Sequence, residues 1–149
     1  VLQIFIPVIN INGLKITPDI LIIFLTYIGY YYGRLETIIM GFLLGLIQDF
    51  VTQYELIGIM AFVKSLIGYG LGTMALYRSI WHRNLRIVFI FSLYFLHFYI
   101  YYYIKLNSIT VSNLHFLEII FFHTIFCFAI LLIVDKSIMK NGVSKKRHP

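Results

Sequence analysis

Residues 41–50 read GFLLGLIQDF. Eight of the ten are glycine or apolar, and the run then closes on Gln48, Asp49 and Phe50. The chain has only 6 acidic residues in 149, so an acid at the end of an apolar run needs a reason. Gly41, Gly45 and Asp49 recur every fourth position, which puts them on one face of a helix. In lipid, a glycine face lets a second backbone come close, and close packing replaces the hydrophobic drive that water would supply. The stretch therefore predicts a helix packed tightly inside a bilayer, with Asp49 aimed at a polar partner near one end.

The composition agrees. The chain is 60% hydrophobic and 12% charged, against about 25% charged for soluble domains. A chain this short cannot hide that much apolar surface from water, which makes it an integral membrane protein. The single Cys127 has no intrachain disulfide partner.

Working outward, the apolar runs predict an all-α bundle of six transmembrane helices in a single domain over 1–149. The spans fall at about 1–10, 18–32, 36–51, 56–77, 87–104 and 113–134, with a basic tail over 135–149. The first run, VLQIFIPVI, is too short for a hydrocarbon core of ~30 Å, so that helix is expected to be short or truncated. Thr17 is the expected N-cap of the second span, with Pro18 at its first helical position.

Charge sets the orientation. Arg34, Arg78, Arg83, Arg86, Lys136, Lys140, Lys145, Lys146 and Arg147 lie in alternate loops and the tail. The opposite loops hold Lys15 and Lys105, and Lys64 lies within a span. By the positive-inside rule the richer set is cytoplasmic, as are both termini. The net charge of +6 is thus topological, and no nucleic-acid partner is expected. The run SIWHRNLR and the tail KKRHP suit anionic headgroups of membrane lipid. The outer end of span five, YFLHFYIYYYIK, reads as an interfacial aromatic belt.

A second stripe lies on span four, where Gly58, Ala61, Ser65, Gly68, Gly72 and Ala75 are spaced 3, 4, 3, 4 and 3 apart. With Gly41 and Gly45 these residues predict packing faces, either within the bundle or for a partner's transmembrane helix. Polar groups gather in the outer half: Gln48, Asp49, Lys64, His97 and Glu118. Lys64 is roughly 12 Å deep at 1.5 Å per residue. An intramembrane charge costs roughly 2.5–3.5 kcal/mol on insertion scales, so such groups pair. Lys64 is expected to pair with Asp49, with Glu118, or with both; separate snorkelling to headgroups is the alternative.

No catalytic residue is indicated, because GxSxG, HExxH and Walker patterns are missing. Lys64 and Ser65 are adjacent and point to different faces. His115, Glu118 and His123 fan over about 140° of a helix, which is poor for one metal. Neither metal nor cofactor is expected, and the chain reads as a non-enzyme.

The order PDILIIFLTYIGYYYGRLETIIMGFLLGLIQDF (18–50), then VTQYELIGIMAFVKSLIGY (51–69), resembles the MreD family of bacterial rod shape-determining proteins. The matching features are the Pro-led second span, the Gly41, Gly45, Asp49 run, and Ile57-Gly58 opening a small-rich span. The N-terminus departs from the family, which has a full first span. The resemblance implies a multi-pass inner-membrane subunit of the cell-elongation complex. Its implied partners are single-span MreC, the actin-like MreB, RodA and the elongation transpeptidase. Its implied role is to couple the cytoskeleton to lateral peptidoglycan synthesis. The family is also similar in fold to the six-helix substrate-binding subunits of energy-coupling-factor vitamin transporters. That leaves a second reading, in which Asp49, Lys64, His97 and Glu118 line a pocket for a small molecule. The short outer loops, 10–17, 53–55 and 105–113, offer little to cap such a ligand and favour the assembly role.

Overall fold

A computed structural model describes residues 9–11, 14–16, 18–52, 57–77, 79–106 and 113–144. Two short strands, β1 (Ile9–Ile11) and β2 (Leu14–Ile16), pair antiparallel with Asn10 opposite Lys15. Five helices follow: α1 (Ile20–Tyr31), α2 (Arg34–Thr52), α3 (Ile59–Leu76), α4 (Arg83–Leu106) and α5 (Asn113–Ser144). Among the described residues the helices thus number five rather than six. The expected first span falls partly on residues 1–8, outside the described ones, and its last residues enter the hairpin.

Among the described residues three helices are long and apolar enough to cross a membrane: Ile59–Leu76, Asn84–Ile104 and Leu114–Lys136. Helix α1 is apolar but has 12 residues, about 18 Å at 1.5 Å per residue. Helix α5 is the opposite case. Its 32 residues make roughly 48 Å, longer than a hydrocarbon core of ~30 Å. The helix runs through residue 144, so most of the expected basic tail is helical backbone.

Helix starts and stops follow local chemistry. Asp19 is the N-cap of α1 in extended backbone, and its Oδ1 accepts from the N–H groups of Leu21 (3.1 Å) and Ile22 (3.3 Å). The expected cap, Thr17, lies outside the described residues. The turn into α2 is only Tyr32 and Gly33, with the Thr37 hydroxyl donating to the Gly33 carbonyl at 2.8 Å. Gly58 precedes α3 with φ +107°, a left-handed conformation that glycine adopts without Cβ strain.

Helix α3 is the hub and packs against α1, α2 and α4, while α4 also packs on α5. Its antiparallel contact with α2 is backbone on backbone. A Cβ at Gly45 would strike the Met60 carbonyl and the Ala61 backbone, and one at Gly41 would strike the Lys64 carbonyl. Farther along, a Cβ at Gly68 would come within 2.6 Å of the Thr37 carbonyl oxygen, and one at Gly72 within 2.6 Å of the Arg34 Cα. As the α2 number falls from 45 to 34, the α3 number rises from 60 to 72, so one seam holds register along both helices. Gly70 faces elsewhere, against the Leu93 side chain of α4. The apolar core joins Ile22 and Leu25 of α1, Val63, Ile67 and Leu71 of α3, Tyr94 and Phe98 of α4, and Ile120 of α5.

Candidate functional site

Lys64 projects from the N-terminal third of α3 and is fully buried, at 0% exposure. Its ammonium is ion-paired to Oδ2 of Asp19 at the head of α1. His97 of α4, also at 0%, brings Nε2 to 3.3 Å from that same oxygen. The Asp19 carboxylate therefore gathers two backbone N–H groups on Oδ1 and two side-chain nitrogens on Oδ2. The partial positive charge at the α1 N-terminus adds to the same anion. Three helices meet at one carboxylate, which satisfies a lysine that lipid would not tolerate alone.

This corrects the expected pairing. Lys64 meets neither Asp49 nor Glu118 as an ion pair. Asp49 is occupied elsewhere. It lies buried near the end of α2 and reaches across the α2–α3 turn to the start of α3. Its Oδ2 accepts from the N–H of Gly58 at 2.9 Å and of Ala61 at 3.1 Å, and its Oδ1 from that of Met60 at 3.1 Å. Gly58 has no side chain to cap α3, so the preceding helix supplies the cap to the free N–H groups. Gln48 beside it is buried as well. Glu118 sits on an exposed face of α5, its side chain 58% exposed, within 3.1 Å of His115 one turn earlier. It faces away from the bundle, which is why depth alone misplaced it.

The small residues also find places. Gly41, Gly45, Ala61, Gly68 and Gly72 all lie in the α2–α3 seam. The Ser65 backbone lies near Gly41, and its hydroxyl donates to the Ala61 carbonyl at 2.7 Å. Gly58 stands at the turn with open space around it. Most of the stripe read from the sequence thus packs within the chain, Gly58 excepted.

Sequence reading missed three features. Asp19 follows the expected Thr17-Pro18 helix start, and its signal is that of an acid at the edge of an apolar run. Tyr94, placed in the aromatic belt, is fully buried, and its hydroxyl lies 2.8 Å from that of Thr26, which itself donates to the Ile22 carbonyl at 2.9 Å. His123 stacks on Phe98 with ring centroids 3.9 Å apart, and its Nδ1 lies 3.0 Å from the Tyr102 hydroxyl, so it joins α5 to α4. Tyr99 and Tyr103, by contrast, stack on an exposed face, as an interfacial belt requires.

The arrangement binds helices together. Among the described residues no group of three His, Cys, Asp or Glu side chains is placed to hold a metal ion. The sequence model of one protein family, described as rod shape-determining protein MreD, matches residues 1–140. No curated protein and no solved structure matches the chain, so the expected likeness to vitamin-transporter subunits gains no support.

Proposed function

Because the chain belongs to the MreD family of rod shape-determining proteins, we propose that it is an assembly subunit of the cell-elongation complex. It is a membrane protein of a shape-determining family, not of a known enzyme family. In this reading it crosses the inner membrane several times, with both termini in the cytoplasm. It binds a single-span MreC-like partner and, through it, MreB, RodA and the elongation transpeptidase. Coupling the cytoskeleton to lateral peptidoglycan synthesis follows from those contacts.

The family match over 1–140 carries this reading. Geometry supports it in two ways. The buried charges among the described residues at the α1–α3–α4 junction and the α2–α3 corner are spent within the bundle, since Lys64 and His97 converge on Asp19 and Asp49 caps α3. The α2–α3 seam also fixes which face of α2 stays outside. Leu35, Ile39, Phe42, Ile47 and Phe50 point outward at helical spacing and are between 48% and 67% exposed. We assign the partner helix to that face, since the glycine face is already filled.

The test is disulfide or bismaleimide crosslinking in native membranes. Cysteines at Ile39, Phe42 and Ile47 should capture a single-span protein with a periplasmic domain, whereas one at Ile125 of α5 should not. Capture from α5 only would overturn the assignment of the face. Purification with a bound vitamin and without any protein partner would overturn the assembly role itself.

A further inference from the structure

A cleft of ≈ 400 Å³ opens where α1 ends, α4 begins and α5 leaves the apolar core. This is within the range of about 300–1,000 Å³ typical of ligand pockets. Its walls include Tyr27 and Tyr30 of α1, Arg86 and Ile90 of α4, and Leu131 and Asp135 of α5. The assembly role assigns it nothing.

Two of its lining residues carry a buried polar atom without a partner. The Tyr27 hydroxyl and the Arg86 Nε are both buried and have no hydrogen-bond partner among the described residues. Leaving a buried donor unmet costs about 1–3 kcal/mol. They come from different helices and line one cleft, and both can donate, so the cleft is built to receive an acceptor, best an anion. On the third wall stands the Asp135 carboxylate, exposed, and not ion-paired to Arg86 among the described residues. A purely anionic ligand would meet that carboxylate with the wrong sign. A ligand carrying an anion and, a few bonds away, a cation would satisfy both charges, and tyrosine rings favour a cation. Ile90 and Leu131 give the remaining surface an apolar character suited to acyl chain.

The position fits too. The cleft lies at the end of the bundle that carries Arg34 and Lys136, the end that charge asymmetry places at the cytoplasmic headgroups.

We propose that this cleft binds one zwitterionic phospholipid of the phosphatidylethanolamine type. Arg86 and Tyr27 hold the phosphate, Asp135 and the tyrosine faces hold the ammonium, and the apolar wall holds the first part of a chain. The charge pattern, one arginine on α4 and one aspartate on α5, selects this headgroup over phosphatidylglycerol, which lacks the cation.

The test is native mass spectrometry of the full chain released from mixed micelles of phosphatidylethanolamine and phosphatidylglycerol. The wild type should retain phosphatidylethanolamine over phosphatidylglycerol by about tenfold. Arg86→Gln should lose retention of both. Asp135→Asn, at an exposed position, should keep binding, with the melting temperature of the wild type, but move the preference toward phosphatidylglycerol. Equal retention of the two lipids by the wild type would overturn the proposal. So would an unchanged preference in Asp135→Asn, or a polypeptide crosslinked into the cleft in native membranes.

Discussion

Two aspartates are buried in this bundle, and they are stabilised in opposite ways. Asp49 is held by three backbone N–H groups within 12 residues of it in the chain. Asp19 is held by the charge of a lysine 45 residues away on α3, with a histidine ring nitrogen of α4 beside it and the two N–H groups of its own helix. Asp49 makes a corner between two helices; Asp19 makes a junction among three. In a membrane both are solutions to the same problem, a carboxylate without water, but they differ in what is stranded when the carboxylate changes. At Asp49 only dipoles lose a partner. At Asp19 a buried ammonium does.

That difference ranks the variants. Asp19→Asn keeps an oxygen for the α1 cap and removes the charge facing Lys64. Breaking one side of a buried pair costs about 3–5 kcal/mol, so this variant should show the largest fall in melting temperature in mild detergent. Adding Lys64→Met should recover part of the loss, because the stranded charge is gone. A double variant melting below Asp19→Asn would break the comparison. Gly45→Leu drives a side chain into the α3 backbone and should cost about 1–3 kcal/mol through overpacking. It should also separate α2 from α3, read as loss of a disulfide engineered across the seam; a wild-type melt and an intact disulfide would contradict the seam. Asp49→Asn retains one acceptor but turns an NH₂ toward backbone donors, a loss of about 1–2 kcal/mol, in the range of a lost cap. If it melted below Asp19→Asn, the distinction between dipole and charge would fail. Tyr94→Phe is the mildest, about 0.5–1 kcal/mol, since Thr26 keeps its bond to the Ile22 carbonyl. A larger loss would mean that this hydroxyl pair, not Asp19, ties α1 to α4.

Much of the fold could be read in advance. Apolar runs locate α1 to α5 because lipid demands continuous hydrophobicity. The α2–α3 seam showed in the spacing of small residues, because backbone contact requires the Cβ to be small or missing at every turn. What the residues did not disclose was partnership. Lys64, Asp49 and Glu118 share depth and opposite sign, but depth leaves the azimuth around each helix open. Glu118 faces outward on α5 and Asp49 is drawn to the free N–H groups of α3. Asp19 occupies the same outer layer under the same topology and, with Glu55 of the outer loop, was a further acid to consider there. The capping role of Asp49 had its own signal: Gly58 opens an apolar helix with no Ser, Thr, Asp or Asn at the cap, so the cap must come from elsewhere. Tyr94 misled because a run of aromatics suggests one environment, whereas a helix turns successive rings to different sides.

The separations in sequence carry one more consequence, an order of assembly. The bonds of Asp49 close loops of 9 to 12 residues, the Asp19–Lys64 pair one of 45 and the Thr26–Tyr94 bond one of 68. Loop-closure entropy rises with length, so the α2–α3 hairpin closes before the junctions of Asp19 and Tyr94 as the chain enters the bilayer. Cysteines across the Gly45–Ala61 contact should crosslink in nascent chains that end before His97; crosslinking only in longer chains would refute this order. Once closed, the hairpin fixes the height of Lys64 in the membrane, and the head of α1 docks onto a charge already in position.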